Sequence, residues 1–543
     1  MVNFQFTSGG GAMTAWSISK RFAVSPPRLL FGNTDEVIFE IKPYLQPFEC
    51  KLAMRELRAL LNPDDEIREE HGYWLVRTGV PEETLRRRLT YWQRIGRGSL
   101  ELTLQKALEF TQNGEAAAHR STELHRARRL RYGPHDLHEY RGKFFPQLVR
   151  SLINMSGAQE GSVVLDPMNG SGTTACEAVA AGMTALGADL NPLSTLIASV
   201  KAGIPSLAPE DFQKQVFDLL DSFKVAPVDP SCVWNGKDFS YLGKWFDPMA
   251  IADLASIVIA IRGIEAPTYR DFFLVCLSNI VRSVSWQKAT DLRVRKEILP
   301  YEAGVALVRF KAEVRAQVNR IYPYLSILNL KCAAKADIRR GNAVDITTVF
   351  PEYRGKVDVI ITSPPYATAL PYLDTDRLSL VVLGLLPRTN HAEVERDMVG
   401  TREISERKRR DAWDIYEARR GELTGEITSL IDRIAAVNHR EGIGFRRRNL
   451  PALLGKYFLS MLDAMRSAKE MMKNGAYAYY VVGNNSTELD GVKIEIPTDH
   501  LLVGLGEAAG WKAEEQIPME LISSRDIFRG NRGSSETILC FSA

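Results

Sequence analysis

A chain of 543 residues is too long for one ordinary core, so roughly two to four domains are expected. Its 45% apolar and 25% charged content is that of a soluble globular protein, and a net charge of +3 leaves any nucleic-acid surface to local clusters of basic side chains. Six scattered cysteines with no C-x-x-C pair argue against a metal site, and no apolar run suits a membrane span, so a cytoplasmic protein without a membrane partner is expected.

Residues 1–113 read as a small α+β module. EVIFEIKP is a strand, CKLAMRELRALL an amphipathic helix, GYWLVRTG a second strand, and PEETLRRRLTYWQRI a second helix opened by Pro81. A basic linker, residues 114–139, crowds Arg120, Arg126, Arg128, Arg129 and Arg131 into a short span. Such a patch either tracks a phosphate backbone or forms a solvated helix face.

From Tyr140 the texture changes. GKFFPQLVRSLINMSG is a helix entered through Pro146, Val163–Leu165 a strand, and TALGADLNP a strand closing on Asp189. Further strands lie near AKADIRRGNA, in VDVIITSPPY and at Ala476–Asn485, and KAEEQIPMEL and TILCF make a terminal pair. This rhythm predicts a doubly wound, mostly parallel α/β sheet with right-handed crossovers, assembled from residues 140–204 and 331–543. Two helical insertions interrupt it, residues 205–330 and residues 386–455. The second carries ERKRR and FRRRN and suits target recognition.

Two stretches carry chemistry. In DPMNGSGTT, Asp166 follows a strand, and Gly170 and Gly172 allow a tight turn with close backbone approach to a ligand. No Gly-Lys-Ser/Thr ending follows, which excludes a P-loop. Gly170, Gly172 and Ala175 satisfy the relaxed G-x-G-x-x-A form, and Asp189 lies where a ribose-binding acid would, so a dinucleotide site and a ligand-free turn remain open. Asp166 would repel a pyrophosphate. An amine-facing acid with a ribose-facing acid suits S-adenosylmethionine. The second stretch is VDVIITSPPYATALPYLDTDR, where Pro364 and Pro365 stop an apolar strand because neither can donate to a ladder. Ser363, free carbonyls and Tyr366 are left at the carboxyl edge, where open α/β sheets bind ligands.

DPMNGSGTT followed by TSPPY resembles motifs I and IV of the S-adenosylmethionine-dependent amino-methyltransferases that modify exocyclic nitrogens of DNA bases. YRGKFFPQLV resembles their motif X. The resemblance spans residues 135–200 and 335–543, interrupted by the helical insertions. It implies a Rossmann-like methyltransferase sheet with Lys143, Phe144, Phe145, Pro146, Asp166, Pro167, Asn169, Gly170, Gly172, Thr173, Asp189 and Asn342 around the cofactor. It also implies that Ser363 and the Pro364 carbonyl accept hydrogen bonds from the target amine. Pro365 stiffens that edge, and Tyr366 stacks on a base flipped out of double-stranded DNA.

Ser363, in place of the commoner Asp, is similar to the cytosine-N4 branch, although some adenine-N6 enzymes share it. The Pro-Cys dipeptide of cytosine-C5 enzymes is absent. Trp286, Lys288, Arg446, Arg447 and Arg448 are expected DNA contacts, in a genome-marking or restriction-modification setting, and Arg529 and Arg532 could touch phosphate. LQPFECKLAMRELRALL resembles the leading domain of tRNA guanine-N2 methyltransferases, which keeps tRNA as an alternative substrate. An inactive nucleic-acid-binding scaffold is the rival from another class.

Overall fold

Glu36–Ile41 (β1), Ile67–Glu70 (β2), Tyr73–Arg77 (β3), Trp92–Gly96 (β4) and Glu101–Leu102 (β5) build an antiparallel sheet in the order β2-β3-β1-β4-β5. The computed structural model describes residues 35–113, 129–140, 142, 145–224, 228–288, 295–330, 334–367, 372–400, 404–438, 445–489, 492–519 and 536–543. Arg120, Arg126, Arg128, Lys143, Phe144, Arg529 and Arg532 lie outside the described residues, as does the side chain of Arg446.

The TYWQRI segment is not the helical continuation expected of it; after Thr90 and Tyr91 it becomes strand β4. Helix Glu82–Arg88 stops because the N–H groups of Thr90 and Tyr91 both donate to the buried Glu56 carboxylate, at 3.0 and 2.9 Å. The Trp92 indole then donates to the Ala53 carbonyl at 3.2 Å. Tyr91 and Trp92 are fully enclosed by this arrangement, and aromatic residues suit a pleated surface once a packing partner exists. Part of the basic linker also turns inward. Arg129 is buried, with its guanidinium 5.8 Å from the Phe110 ring.

The main sheet comprises Val163–Asp166 (β6), Thr184–Asp189 (β7), Ala336–Arg340 (β8), Val357–Thr362 (β9) and Met472–Gly483 (β10), then, beyond a separate hairpin of Asn485–Leu489 (β11) and Val492–Ile496 (β12), Lys512–Met519 (β13) and Glu536–Ser542 (β14). Its order is β13-β14-β10-β9-β6-β7-β8. β14 pairs antiparallel with both β10 and β13, and the other neighbours pair in parallel. This is a doubly wound, Rossmann-like α/β sheet. β10 opens at Met472, earlier than the expected Ala476.

Side chains alternate between two cores. Leu165, Leu186, Ile360, Ala478 and Tyr480 share one with residues of helix Phe445–Met471. Val164, Ala185, Val359, Ile361 and Tyr479 share the other with residues of helix Pro146–Met155. Burial on both faces is why these strands read as unbroken apolar runs. Val37, Phe39 and Trp92 of the N-terminal sheet and Leu52 of helix Pro47–Leu60 belong to that second core, so the two sheets close over one apolar interior.

Residues 205–330 are largely helical, with Pro209–Ser222, Gly236–Leu242, Pro248–Arg262, Pro267–Val281 and Val305–Leu328 contributing to a further core. The charged segment holds His391–Asp397, Glu406–Arg419 and Gly425–Asn438. Helix Phe445–Met471 follows later in the chain and leads it back to β10.

Candidate active site

β6 lies between β7 and β9, so the chain leaves it first to one side and later returns to the other. Such a switch point opens a crevice beyond the carboxyl ends of the strands. Asp166, Asp189 and Thr362 end the three strands there. The turn after β6 needs its glycines. Gly172 has φ +76°, and a Cβ on it would lie 2.7 Å from the Ala198 Cβ. Gly170 has φ +49°, and a Cβ there would lie 3.2 Å from the Tyr140 ring.

Asp189 latches this turn to the next element. Its two carboxylate oxygens accept the N–H groups of Gly170 at 3.0 Å and Asn191 at 2.8 Å. Burial raises its pKa to about 6 against those two donors. Asn169 is buried with both amide atoms unpartnered, and the buried Ser171 hydroxyl is likewise unpartnered. Orphaned buried donors and acceptors in a strained turn mark a place where a polar ligand completes the structure.

Asp166, the last residue of β6, is only 1% exposed. It accepts the Met168 N–H at 3.1 Å. Burial lifts its pKa to about 6, opposed by the neighbouring Thr362 and Thr174 hydroxyls and the Met168 N–H. Its carboxylate thus holds the first peptide of the glycine turn at the carboxyl end of β6.

A cleft brings the two motifs together. Pro167 and Met168 of the glycine turn, Asp189, Asn342 and Pro365 of the Ser-Pro-Pro-Tyr stretch all line it, and Met398 and Val399 from the second insertion close one side. Asn342 caps the turn after β8, its side-chain oxygen accepting the Val344 N–H at 3.3 Å. Thr173 instead turns into the helix packing, where its hydroxyl accepts from the buried Lys201 ammonium at 3.2 Å. Phe145 and Pro146 open helix Pro146–Met155, and neither lines the cleft.

Beyond β9, Ser363 and Pro365 are half-buried, Pro364 is buried and Tyr366 is 38% exposed. The Tyr366 hydroxyl donates to Glu536 at 2.6 Å. Its ring lies so close to Gly483 that a Cβ there would approach the ring carbon Cε1 to 2.9 Å. Gly483 and Glu536 are direct partners across β10 and β14, so strand register delivers both to the same aromatic ring. Neither residue carries a local sequence signal; only the pairing of two distant strands reveals them.

Residues 137–197 match the family described as UPF0020, RMKL-like, methyltransferase domain. That segment holds the helix before β6, the glycine turn and β7 with Asp189. A Type II methyltransferase, M.MvaI, of Kocuria varians is 23% identical over 68% of this chain and 80% of its own length. M.AvaI of Nostoc sp., also a Type II methyltransferase, is 24% identical over 69% of this chain and 79% of its own. M.MjaII of Methanocaldococcus jannaschii is 21% identical over 48% and 64%. Among solved structures, TrmN from Thermus thermophilus aligns over 93% of this chain and 99% of its own at 12% identity, with a TM-score of 0.32, too low to bear on fold or function. The chain is thus similar at low identity to methyltransferases, and the matched segment includes Pro167, Met168, Asp189 and Leu190 of the cleft lining.

The expected nucleic-acid contacts lie apart from the cleft lining. Trp286 and the exposed Lys288 belong to a hairpin-like loop of the first insertion, where the Trp286 indole donates to the Leu299 carbonyl at 3.2 Å. Arg447 and Arg448 are exposed on the first turn of Phe445–Met471.

Proposed function

We propose that this protein transfers a methyl group from S-adenosylmethionine to an exocyclic amino nitrogen of a base in double-stranded DNA, cytosine N4 first and adenine N6 as the nearer variant. The observation that carries this reading is the shared cleft, in which Pro167 and Asp189 on the cofactor side meet Pro365 on the acceptor side. A nucleoside fits the donor set. Asp189 offers acceptors to a ribose diol, Leu190, Met398 and Val399 give an apolar wall for a purine, and the glycine turn lets backbone approach closely.

When bound, S-adenosylmethionine supplies a methyl on a positively charged sulfur that leaves as a neutral thioether. The protein's part is positioning. The exocyclic nitrogen is a weak nucleophile because its lone pair is delocalised into the ring. Ser363 and the Pro364 carbonyl accept its N–H groups and so localise that pair. Held there, the nitrogen would be aligned for in-line transfer of that methyl, with the S–C bonding pair passing to sulfur and one N–H proton to solvent. Tyr366, braced by Glu536 and Gly483, offers its ring to the flipped base. The Type II methyltransferase relatives support the DNA setting, and Ser363 supports the cytosine-N4 assignment.

Incubation with labelled S-adenosylmethionine and either duplex DNA or bulk tRNA, followed by digestion to nucleosides, tests the reading. N4-methylcytosine is the expected product. N6-methyladenine selects the variant, label only in tRNA overturns the DNA assignment, and no label in either leaves a binding scaffold.

A further inference from the structure

The loop that carries Trp286 is braced more firmly than a solvent excursion requires. Gln287 bridges antiparallel to Lys296, with the Lys288 N–H donating to the Arg295 carbonyl at 2.9 Å and the Glu297 N–H to the Trp286 carbonyl at 2.7 Å. The Lys296 ammonium sits 4.6 Å above the Trp286 ring, whose indole N–H holds the Leu299 carbonyl. This bracing presents apolar side chains to water. Ile298 is 68% exposed and Leu299 56% exposed, with Lys288, Arg295 and Lys296 exposed beside them.

A chain of contacts ties the loop to the cleft. The Trp286 N–H donates to the Trp245 carbonyl at 2.7 Å, and the Trp245 ring lies 4.4 Å from the Arg377 guanidinium. Arg377 belongs to helix Tyr372–Val382, which follows the Ser-Pro-Pro-Tyr stretch. Its neighbour Asp376 accepts from Asn191 at 2.8 Å, and the Asn191 N–H donates to Asp189. The described stem of the loop at Trp286 is therefore held at a set position relative to the two motifs.

Exposed aliphatic side chains are costly in water, and the cations beside them favour an anionic polymer over an apolar protein face. We propose that Ile298 and Leu299 form an apolar wedge that enters the base stack of double-stranded DNA, while Lys288, Arg295 and Lys296 hold the flanking phosphates. Partial unstacking by aliphatic side chains is an established way to open a duplex step. Here it would ease extrusion of the target base toward Tyr366. This inference rests on the base-methylation reading above.

The test compares wild-type protein with an Ile298→Ser/Leu299→Ser variant, using labelled S-adenosylmethionine and one unmethylated plasmid in relaxed and negatively supercoiled forms. Both side chains are exposed, so the variant should melt as the wild type does. Transfer to relaxed plasmid should fall by about tenfold, and the deficit should shrink to about threefold on supercoiled plasmid, whose undertwist assists unstacking. A second variant, Lys288→Ala/Lys296→Ala, should flatten the plot of log affinity for duplex DNA against log salt by about two units. Wild-type rates from the serine variant on relaxed plasmid overturn the wedge while leaving the methylation reading intact. An equal deficit on both plasmid forms overturns it too. If wild-type protein labels neither form, the methylation reading itself fails and the wedge falls with it.

Discussion

The Tyr366 hydroxyl donates to the Glu536 carboxylate at 2.6 Å, joining the end of the Ser-Pro-Pro-Tyr stretch to the first residue of the last strand. A hydrogen bond to a charged acceptor is worth about 1.5–3 kcal/mol, so losing it should cost about tenfold or more in kcat/KM if ring orientation matters. Tyr366→Phe and Glu536→Gln should each produce that loss. Because both remove one interaction, the double variant should be little worse than either single one. Additive losses in this cycle would sink the coupling.

Gly483→Ala should act through the same ring. The added methyl would press on Tyr366 from 2.9 Å and must displace it. Methyl transfer should fall sharply while affinity for S-adenosylmethionine, measured by calorimetry, stays within about twofold. Gly172→Ala should behave differently. Its positive φ and the Ala198 contact make any side chain strained, so stability should drop by about 1–3 kcal/mol and cofactor binding should be lost with it.

Cofactor affinity should depend on pH through Asp189. Burial places this carboxyl at about 6, above its ordinary range. Below that pH the proton occupies an oxygen needed as an acceptor, so affinity should fall as pH drops through about 6 and level off above it. The effect on folding has the opposite sign. The folded state disfavours the ionised form, so this group's contribution to stability declines as pH rises from the ordinary carboxylate range toward about 6. Titration calorimetry across this range should show the affinity slope in wild-type protein and a flat profile in Asp189→Asn.

Helix Thr173–Ala180, which follows the glycine turn, is anchored by a buried charge cluster. Glu177 accepts from Arg150 at 2.7 Å and Tyr132 at 3.1 Å, and lies 2.7 Å from His135. Burial alone would raise its pKa, but Arg150 and His135 outweigh that and hold it at about 2. A depressed carboxyl stabilises the fold above its unfolded pKa, and that contribution should vanish as pH falls from the ordinary carboxylate range toward about 2. Glu177→Gln leaves Arg150 buried without its counter-charge and should cost about 3–5 kcal/mol, visible as a lower Tm and a flatter acid limb.

Ser363→Ala should lower turnover and leave cofactor affinity nearly unchanged, since the hydroxyl's proposed role is toward the target amine. Comparing kcat with the dissociation constant for S-adenosylmethionine checks this.

The parallel strands were legible because burial on both faces leaves runs such as Val359-Ile360-Ile361 without polar interruption. The glycine turn and the double proline were legible because each imposes a backbone geometry few other residues permit. What escaped was decided at a distance. Thr90 and Tyr91 leave the helix for the carboxylate of Glu56, a residue on another element. Glu536 reaches Tyr366 only through the register of β10 with β14.

The apolar interior common to both sheets has a consequence for how the chain comes apart. Trp92 and Val164 sit in one cluster, and Asn154, on the helix before β6, donates to Glu56 of the N-terminal module at 3.2 Å. Neither part can be peeled away without flooding the other with water. Heat or denaturant should therefore take both in one cooperative transition, and a fragment starting after the linker would expose a greasy flank and precipitate.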